Sequence, residues 1–368
     1  MRLSNGRDSL VVTRYADVKE MLSRRDSSAL TANRFAPGFP GLPKGITGVS
    51  ADANILFMDE PAHGVIRRML FSSFTAKAVA SMRPGIQGCV DGVLDAVIAS
   101  GSPLDLHQAF SLPVPSLIIC QLLGVPYADH TLFQEMTQQI LSRNVDSGVF
   151  DDAMHRMHAY MDQVVSSKAK HPSADDMLGR LIVEHGQRGE ISHDQIVGLG
   201  VLMLIAGHET TSNSLSLGAV HLLTDARTRS AVTDSPDLMR AFVDEAVRID
   251  SIADFVPARL AVTDTAIGSC PVAAGDGVIA LTGAANHDPA AFPNPLTVDL
   301  HRDNRQHMGF GFGVHACIGQ HLARAEMEIS YATLLRRLPG IRLAVAAEDL
   351  EFRHDGMVYG LRQLPVTW

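Results

Sequence analysis

The feature that most constrains the fold is one long helical pattern without a proline, which begins after Ser192 and continues to about Leu223. Ser192 followed by Gln195 forms a capping box, the pattern typical of a helix start. Near its middle, the residues AGHETT interrupt the apolar stripe; glycine costs about 1 kcal/mol relative to alanine, and a threonine hydroxyl can bond a carbonyl one turn back. We expect a local kink whose polar groups face a ligand, although a solvated polar face would contain the same residue types.

The rest of the chain is predicted to be mainly helical with small sheets. Apolar residues at three- and four-residue spacing predict helices over 14–25, 61–74, 130–143 and 151–168. Short strand patterns occur near the start, over 258–283 and at the C-terminus. With 46% hydrophobic residues, no linker and no repeat, the chain is expected to form one domain over 1–368.

Charge and hydropathy exclude several classes of protein. The net charge of -9 argues against a general nucleic-acid or anionic-membrane binder, because phosphate surfaces are bound by clustered Lys and Arg. The longest apolar run, VGLGVLMLIAG, is much shorter than the roughly 20 residues that a membrane span needs. We therefore expect neither a nucleic-acid partner nor a membrane span, and a cytoplasmic location.

The four cysteines are far apart and form no CxxC pair, so they predict neither a disulfide framework nor a zinc site. Cys89 and Cys120 lie in apolar helical stretches, where an inert thiol is expected. Cys317 differs, because it follows the glycine-rich stretch GFGFG and directly precedes a helical pattern. Unpaired amides at a helix start favour a thiolate, the form that binds metal. A structural cysteine, or a nucleophile with His315 as its base, would also fit this pattern.

The stretch FGFGVHACIG resembles the haem-binding signature of the cytochromes P450, and GQHLARAE continues it as in the soluble bacterial members. The resemblance implies the cytochrome P450 fold, with haem b between the long central helix and the helix after the cysteine. It makes Cys317 the proximal iron ligand and places Phe310 and Gly319 beside the haem. A thiolate ligand donates electron density to iron and favours O–O cleavage.

The segment AGHETT resembles the oxygen-binding part of the family's central helix. The resemblance implies that Glu209 and Thr210 form a catalytic acid–alcohol pair that supplies protons to bound dioxygen. It also implies that Gly207 leaves room for the oxygen.

A set of cationic and donor side chains is implied to bind the haem propionates. His63 and Arg67 lie one helical turn apart in DEPAHGVIRR, and both could bind one anion, although an exposed polar face would look the same. By resemblance, His315 and Arg259 join them at the two carboxylates.

The segment DEAVR contains Glu245 and Arg248, which alone would be an ordinary ion pair. Together with Arg302 they resemble the family's Glu-Arg-Arg cluster, which supports the haem-side core and has no catalytic role.

The resemblance covers nearly the whole chain, but the family's leader and first helix are expected to be missing before GRDSLVVTRYADVKEML. By family position, an apolar substrate pocket is expected, and a macrolide, terpenoid or peptide natural product would suit it. An ordinary core would contain the same residue types. The residues expected in the pocket are Leu56, Phe57, Leu204, Ile205, Ile252, Phe255 and Val256.

The resemblance implies a haem-thiolate monooxygenase that uses dioxygen to hydroxylate or epoxidise a lipophilic small molecule in secondary metabolism. Because nothing in the sequence resembles a flavin or nicotinamide domain, a ferredoxin and its reductase are expected to supply electrons, with docking near Arg67 and Arg68. The protein is expected to be a monomer. A peroxide-driven enzyme or a nitric-oxide reductase of the same fold are alternatives that Glu209 and Thr210 weaken, and a non-catalytic haem-binding partner protein is a third.

Overall fold

The structure is a computed structural model that describes residues 8–24, 27–29, 54–253, 258–303 and 306–368. Most of these residues are helical. The α-helices are α1 Tyr15–Ser23, α2 Ala62–Phe74, α3 Ala76–Ser100, α4 Pro113–Leu123, α5 His130–Leu141, α6 Ser147–Lys170, α7 Met177–Arg180, α8 His193–Thr224, α9 Ala226–Asp234, α10 Pro236–Asp250, α11 Thr282–Asn286 and α12 Gln320–Arg337. Two π-helical segments, His107–Ser111 and Leu181–His185, and short 3-10 turns complete the helical part.

In the described part of the chain, the strands are short and form four small sheets. They are β1 Ser9–Val12, β2 Ser27–Ser28, β3 Leu104–Asp105, β4 Ala258–Ala261, β5 Thr265–Ile267, β6 Cys270–Val272, β7 Gly277–Ala280, β8 Arg342–Leu343, β9 Phe352–Arg353, β10 Gly360–Leu361 and β11 Pro365–Thr367. The largest sheet has the order β1-β7-β4-β2, with β1 parallel to β7 and the other pairs antiparallel. The strands β9 and β10 form an antiparallel pair.

The long helix α8 begins as the sequence predicted. The Ser192 side chain accepts a hydrogen bond from the Gln195 amide, and the Gln195 side chain accepts one from the Ser192 amide. The helix is α-helical without interruption from His193 to Thr224, so the expected kink does not break it. The expected helices over 14–25, 61–74, 130–143 and 151–168 correspond to α1, α2, α5 and α6.

Helix α8 lies at the centre of the main apolar core. It packs against α4, α6, α10 and α12. The π-helical segment His107–Ser111 and β10 also contact it. Because most of its residues are buried, its sequence is apolar nearly all round, as expected for an interior helix. A smaller core joins α1 to β7. The predicted class, mainly helical with small sheets, is confirmed.

Within the part of the chain that the structure describes, no helix is both long enough and apolar enough to cross a membrane.

Candidate functional site

A tight loop presents Cys317 just before helix α12. Gly311 and Gly313 have φ values of +71° and +74°, which glycine adopts without strain. A Cβ atom at Gly313 would lie 2.3 Å from the carbonyl oxygen of Leu22, so a larger residue would push the loop away from α1. The Cys317 amide donates to the Phe310 carbonyl at 2.8 Å and closes the loop.

The surroundings of Cys317 act on its thiol in opposite directions. The residue is exposed, yet desolvation by the surrounding protein raises the pKa of the thiol. A hydrogen bond from the Gly319 amide and the charges of Arg67 and Arg324 oppose the rise. Burial has the largest effect on this pKa, while the Gly319 amide at the helix start lowers it, which is the direction expected from the sequence.

Arg324 on α12 fixes Phe310 beside the cysteine. Its guanidinium carbon lies 4.4 Å from the centre of the Phe310 ring. Its Nε donates to Asp244 on α10 at 2.7 Å, so the ion pair orients the guanidinium over the ring.

Two histidines meet across the site, with ring centres 4.3 Å apart. His63 is 1% exposed, and its Nδ1 lies 3.1 Å from Glu60 Oε1. Its buried Nε2 has no hydrogen-bond partner among the described residues. A buried polar atom without a partner is costly, so this nitrogen indicates a ligand at the site.

Both ring nitrogens of His315 bond to protein groups. Nε2 lies 2.8 Å from the Met58 carbonyl, and Nδ1 lies 3.1 Å from Arg259 Nη2. Since a guanidinium can only donate, Nδ1 is the acceptor and Nε2 carries the proton. Burial, followed by the charge of Arg259, lowers the pKa of His315 to about 4. His315 is therefore neutral at physiological pH and positions Arg259.

The two arginines predicted to bind carboxylates lie in different surroundings. Arg67 is half-buried, and its Nη2 donates to the Ala316 carbonyl at 2.6 Å, next to Cys317. Arg259 is buried on β4. These two cations, the unpartnered His63 nitrogen and the exposed thiol form a donor set that fits an iron porphyrin with two carboxylates.

Glu209 and Thr210 are adjacent on α8 but face different surroundings. Thr210 is half-buried, and its hydroxyl donates to the Ala206 carbonyl at 2.7 Å, one turn back, as the sequence predicted. Glu209 is buried and pairs with Arg353. At Gly207, an added Cβ would lie 2.6 Å from Ile119 Cδ1, so the glycine allows α8 to pack closely against α4.

The residues predicted for the substrate pocket divide into three groups. Leu56, Phe57, Ile205 and Ile252 are at least partly exposed. Leu204 is fully buried in the main core, in agreement with the alternative of ordinary core packing. The remaining two, Phe255 and Val256, lie outside the described residues.

The structure brings Glu245, Arg248 and Arg302 together. Arg248 Nε donates to Glu245 Oε1 at 2.6 Å, and Arg302 Nε donates to the same oxygen at 3.1 Å. Arg248 also donates to the carbonyls of Asn286 and Pro295. The cluster therefore ties α10 to α11 and to the segment after it.

Sequence reasoning missed Arg353, whose Nη2 lies 3.0 Å from Glu209 Oε1. The two residues are 144 positions apart, and no local pattern in the sequence relates them. It also missed the carbonyls of Met58 and Ala316, because any residue type supplies a carbonyl.

Comparison with known sequences is consistent with this geometry. The family model described as Cytochrome P450 matches residues 3–235 and 235–339. The chain is 42% identical to pentalenic acid synthase of Streptomyces avermitilis, over 100% of this chain and 90% of that protein. It is 39% identical to the mycinamicin VIII C21 methyl hydroxylase of Micromonospora griseorubida, over 86% of this chain and 80% of that protein.

Two solved structures resemble the whole chain. The crystal structure of the Micromonospora griseorubida hydroxylase MycCI bound to mycinamicin VIII has a TM-score of 0.93 at 36% identity, covering 100% of this chain and 92% of that one. The structure of CYP105P1 in complex with filipin I has a TM-score of 0.93 at 34% identity, covering 100% and 91%.

Proposed function

The chain belongs to the cytochrome P450 family and is a monooxygenase, and on that premise we propose that it hydroxylates or epoxidises a lipophilic small molecule, using dioxygen and electrons from a ferredoxin. The observation that carries this proposal is the exposed Cys317 thiol at the start of α12, beside a buried His63 nitrogen without a partner in the described chain. In this proposal, residues 1–368 form one domain, and the enzyme acts as a monomer in the cytoplasm.

The donor set supports haem b as the cofactor. Cys317 would ligate the iron, with Phe310 and Gly319 around the sulfur. His63, Arg67 and Arg259 would bind the propionates, and His315 would orient Arg259 through their 3.1 Å contact. When bound, the haem supplies the redox chemistry that activates dioxygen.

Glu209 and Thr210 are the proposed proton-handling residues. The Thr210 hydroxyl lies on the partly exposed side of α8, next to the exposed Ala206, where it can orient a polar ligand. Because Gly207 has no side chain, α8 packs closely against Ile119 beside these two residues. Glu209, which is buried and paired with Arg353, is the proposed acid of this pair.

A lipophilic substrate is supported by the apolar side chains that remain partly exposed, Leu56, Phe57, Ile205 and Ile252. Among the relatives, one is named for pentalenic acid and another hydroxylates a methyl group of mycinamicin VIII. We therefore propose a tailoring step in secondary metabolism.

A ferredoxin would dock on the outer side of α2. The hydrogen bond from Arg67 to Ala316 attaches this helix to the cysteine loop. The next residue, Arg68, is exposed, as are Phe71 and Lys77, and Phe71 is 56% exposed. A cationic surface with an apolar centre suits an acidic electron carrier. Arg67 itself points inward, so Arg68 replaces it in the docking surface expected from the sequence.

The experiment that tests the function is the absorption spectrum of the purified, dithionite-reduced protein under carbon monoxide. A strongly red-shifted Soret band establishes thiolate-ligated haem, and its absence after reconstitution with haem rejects the proposal. Titration of the ferric protein with mycinamicin VIII and filipin I then tests the substrate class. Turnover that requires ferredoxin distinguishes a monooxygenase from a peroxide-driven enzyme, and direct oxidation of a nicotinamide would indicate a nitric-oxide reductase.

Replacing Thr210 with alanine is expected to uncouple turnover. Without the hydroxyl, reducing equivalents go to peroxide, and product per electron falls about tenfold or more, since positioned proton transfer contributes roughly 10²-fold to 10⁴-fold to rates. The measurement is product and peroxide formed per nicotinamide consumed, with a compound that shifts the ferric spectrum. Thr210→Ser retains the hydroxyl and serves as the control. Undiminished coupling in Thr210→Ala would remove the proposed role of this residue.

A further inference from the structure

The carboxylate of Glu209 is held on the side of α8 that faces the β9–β10 pair. Its Oε1 lies 3.0 Å from Arg353 Nη2, and the Glu209 side chain is 9% exposed. The hydroxyl of Thr210, by contrast, donates to the Ala206 carbonyl within α8. Consecutive side chains on a helix point about 100° apart, so the Glu209 carboxylate and the Thr210 hydroxyl lie on different sides of α8.

A small cavity connects this carboxylate to the protein surface. Its volume is about 80 Å³, which is enough for several water molecules. At its inner end lie the buried Glu209 and the half-buried Arg353, whereas the side chains of Asp355 and Arg362 are 37% and 49% exposed. Its polar lining consists of Gln138, Ser142, Glu209, Arg353, Asp355 and Arg362.

The β9–β10 pair fits α8 closely at this point. Arg353 Nη2 also donates to Asn213 Oδ1 at 2.8 Å, and Asn213 Nδ2 donates to the Glu209 carbonyl at 2.7 Å. A Cβ atom at Gly360 would lie 1.7 Å from Asn213 Oδ1, so only glycine allows β10 to lie this close to α8. The guanidinium therefore bridges two residues one turn apart on α8, and its position is determined by the packing of the strands.

Among the described residues, Arg353 is the cation that pairs with the Glu209 carboxylate. His107 lies near both groups, but burial lowers its pKa, and its Nδ1 is 2.9 Å from Ser216 Oγ. His107 is thus neutral at physiological pH and does not compete with the guanidinium for the carboxylate.

We propose that Arg353 is a positioning residue for Glu209, and that it holds the carboxylate at the inner end of this cavity so that protons from solvent water reach the acid–alcohol pair by this route. The inference rests on the proposed monooxygenase function, because it assigns Glu209 the proton-handling role. It names a further residue for the reaction, one outside both the haem-binding set and α8.

The first test measures the coupling between the two residues without turnover. The haem-loaded ferric protein is unfolded by heat in four forms: wild type, Arg353→Gln, Glu209→Gln and the double variant. The effects of the two substitutions are expected to be non-additive. The melting temperature of the double variant should fall by less than the sum of the decreases in the two single variants. Arg337→Gln is the matched control, since Arg337 is a similarly half-buried arginine paired with Asp95 at 2.6 Å, outside the cavity. The decrease in melting temperature caused by Arg337→Gln should add to that caused by Glu209→Gln. If the decreases caused by Arg353→Gln and Glu209→Gln also add, the proposal is overturned.

The second test measures the fate of electrons. In Arg353→Gln, the peroxide formed per electron should rise several-fold. The compound used is whichever of mycinamicin VIII and filipin I shifts the ferric spectrum. The carbon monoxide spectrum and the spectral dissociation constant for that compound should stay at wild-type values, which a general structural defect would not allow. Arg353→Lys restores a cation and should recover most of the coupling. Wild-type coupling in Arg353→Gln would reject the positioning role.

A wild-type protein without a thiolate-type spectrum would instead reject the proposed function. The unfolding measurements on the four forms would still decide whether Arg353 and Glu209 interact.

Discussion

Replacing Cys317 with serine is expected to abolish the strongly red-shifted carbon monoxide band of the reduced protein completely. A serine hydroxyl is far less acidic than a thiol, so it does not supply the anionic, electron-donating ligand that this spectrum requires. The side chains are nearly equal in size, and the Cys317 amide still donates to the Phe310 carbonyl at 2.8 Å, so the loop is expected to keep its shape. The measurement is the reduced carbon monoxide difference spectrum after haem reconstitution.

Cys270→Ser is the control for this substitution. Cys270 is also exposed, but it lies on β6, away from the cysteine loop, so its replacement should leave the band unchanged. Retention of the band in Cys317→Ser, or its loss in Cys270→Ser, would contradict the assignment of Cys317 as the iron ligand.

Replacing Glu245 with glutamine is expected to destabilise the protein by about 3–5 kcal/mol, the usual cost of removing one partner from a buried ion pair. Glu245 and Arg248 are both 0% exposed, and Glu245 also accepts from Arg302 and from the Asp299 amide. Without the carboxylate, the buried charge of Arg248 remains uncompensated. The measurement is the urea midpoint of the haem-loaded protein, followed by circular dichroism.

Asp95→Asn provides the comparison for Glu245→Gln. Asp95 pairs with Arg337 at 2.6 Å, but its side chain is 71% exposed, and an exposed pair contributes about 0–1 kcal/mol. Equal midpoints for Asp95→Asn and Glu245→Gln would show that the buried cluster does not stabilise the fold.

The contribution of Glu245 to the free energy of unfolding should also depend on pH. Burial acts to raise the pKa of this carboxyl, but hydrogen bonds from Arg248 and the Asp299 amide, with the charges of Arg248 and Arg302, lower it below its usual value. A carboxyl whose pKa is lower in the folded state stabilises that state above its unfolded pKa of about 4.3. The difference between wild type and Glu245→Gln should therefore be complete at neutral pH and should shrink as the pH falls through the folded pKa.

Those parts of the site that depend on short stretches of chain could be predicted from the sequence. The capping box at Ser192, the hydroxyl bond of Thr210 to the carbonyl one turn back and the position of Cys317 before a helix all involve residues close together in the chain. Turn and capping chemistry is local, so residue type and spacing are sufficient to indicate it.

Other features of the site could not be predicted from the sequence, because they depend on which groups surround a side chain in the folded protein. Burial raises the pKa of the Cys317 thiol, and the spacing of residues in the sequence does not show this burial. Periodicity could not separate the buried Leu204 from the partly exposed Ile205, since both are apolar residues on the same helix. The contacts of the His315 ring nitrogens with Arg259 and with the Met58 carbonyl join distant parts of the chain, and the sequence did not predict them.

The sequence by itself predicted the class of fold and the position of Cys317 before a helix, because these follow from hydrophobic periodicity and local backbone chemistry. Its resemblance to the cytochromes P450 implied the acid–alcohol pair of Glu209 and Thr210. Only the tertiary structure decided how the charges are paired. Arg353 reaches Glu209 across 144 positions because the β9–β10 pair packs against α8, and Arg67 reaches Ala316 because α2 lies beside the cysteine loop. Such pairings are set by the packing of distant elements, which no short stretch of sequence contains.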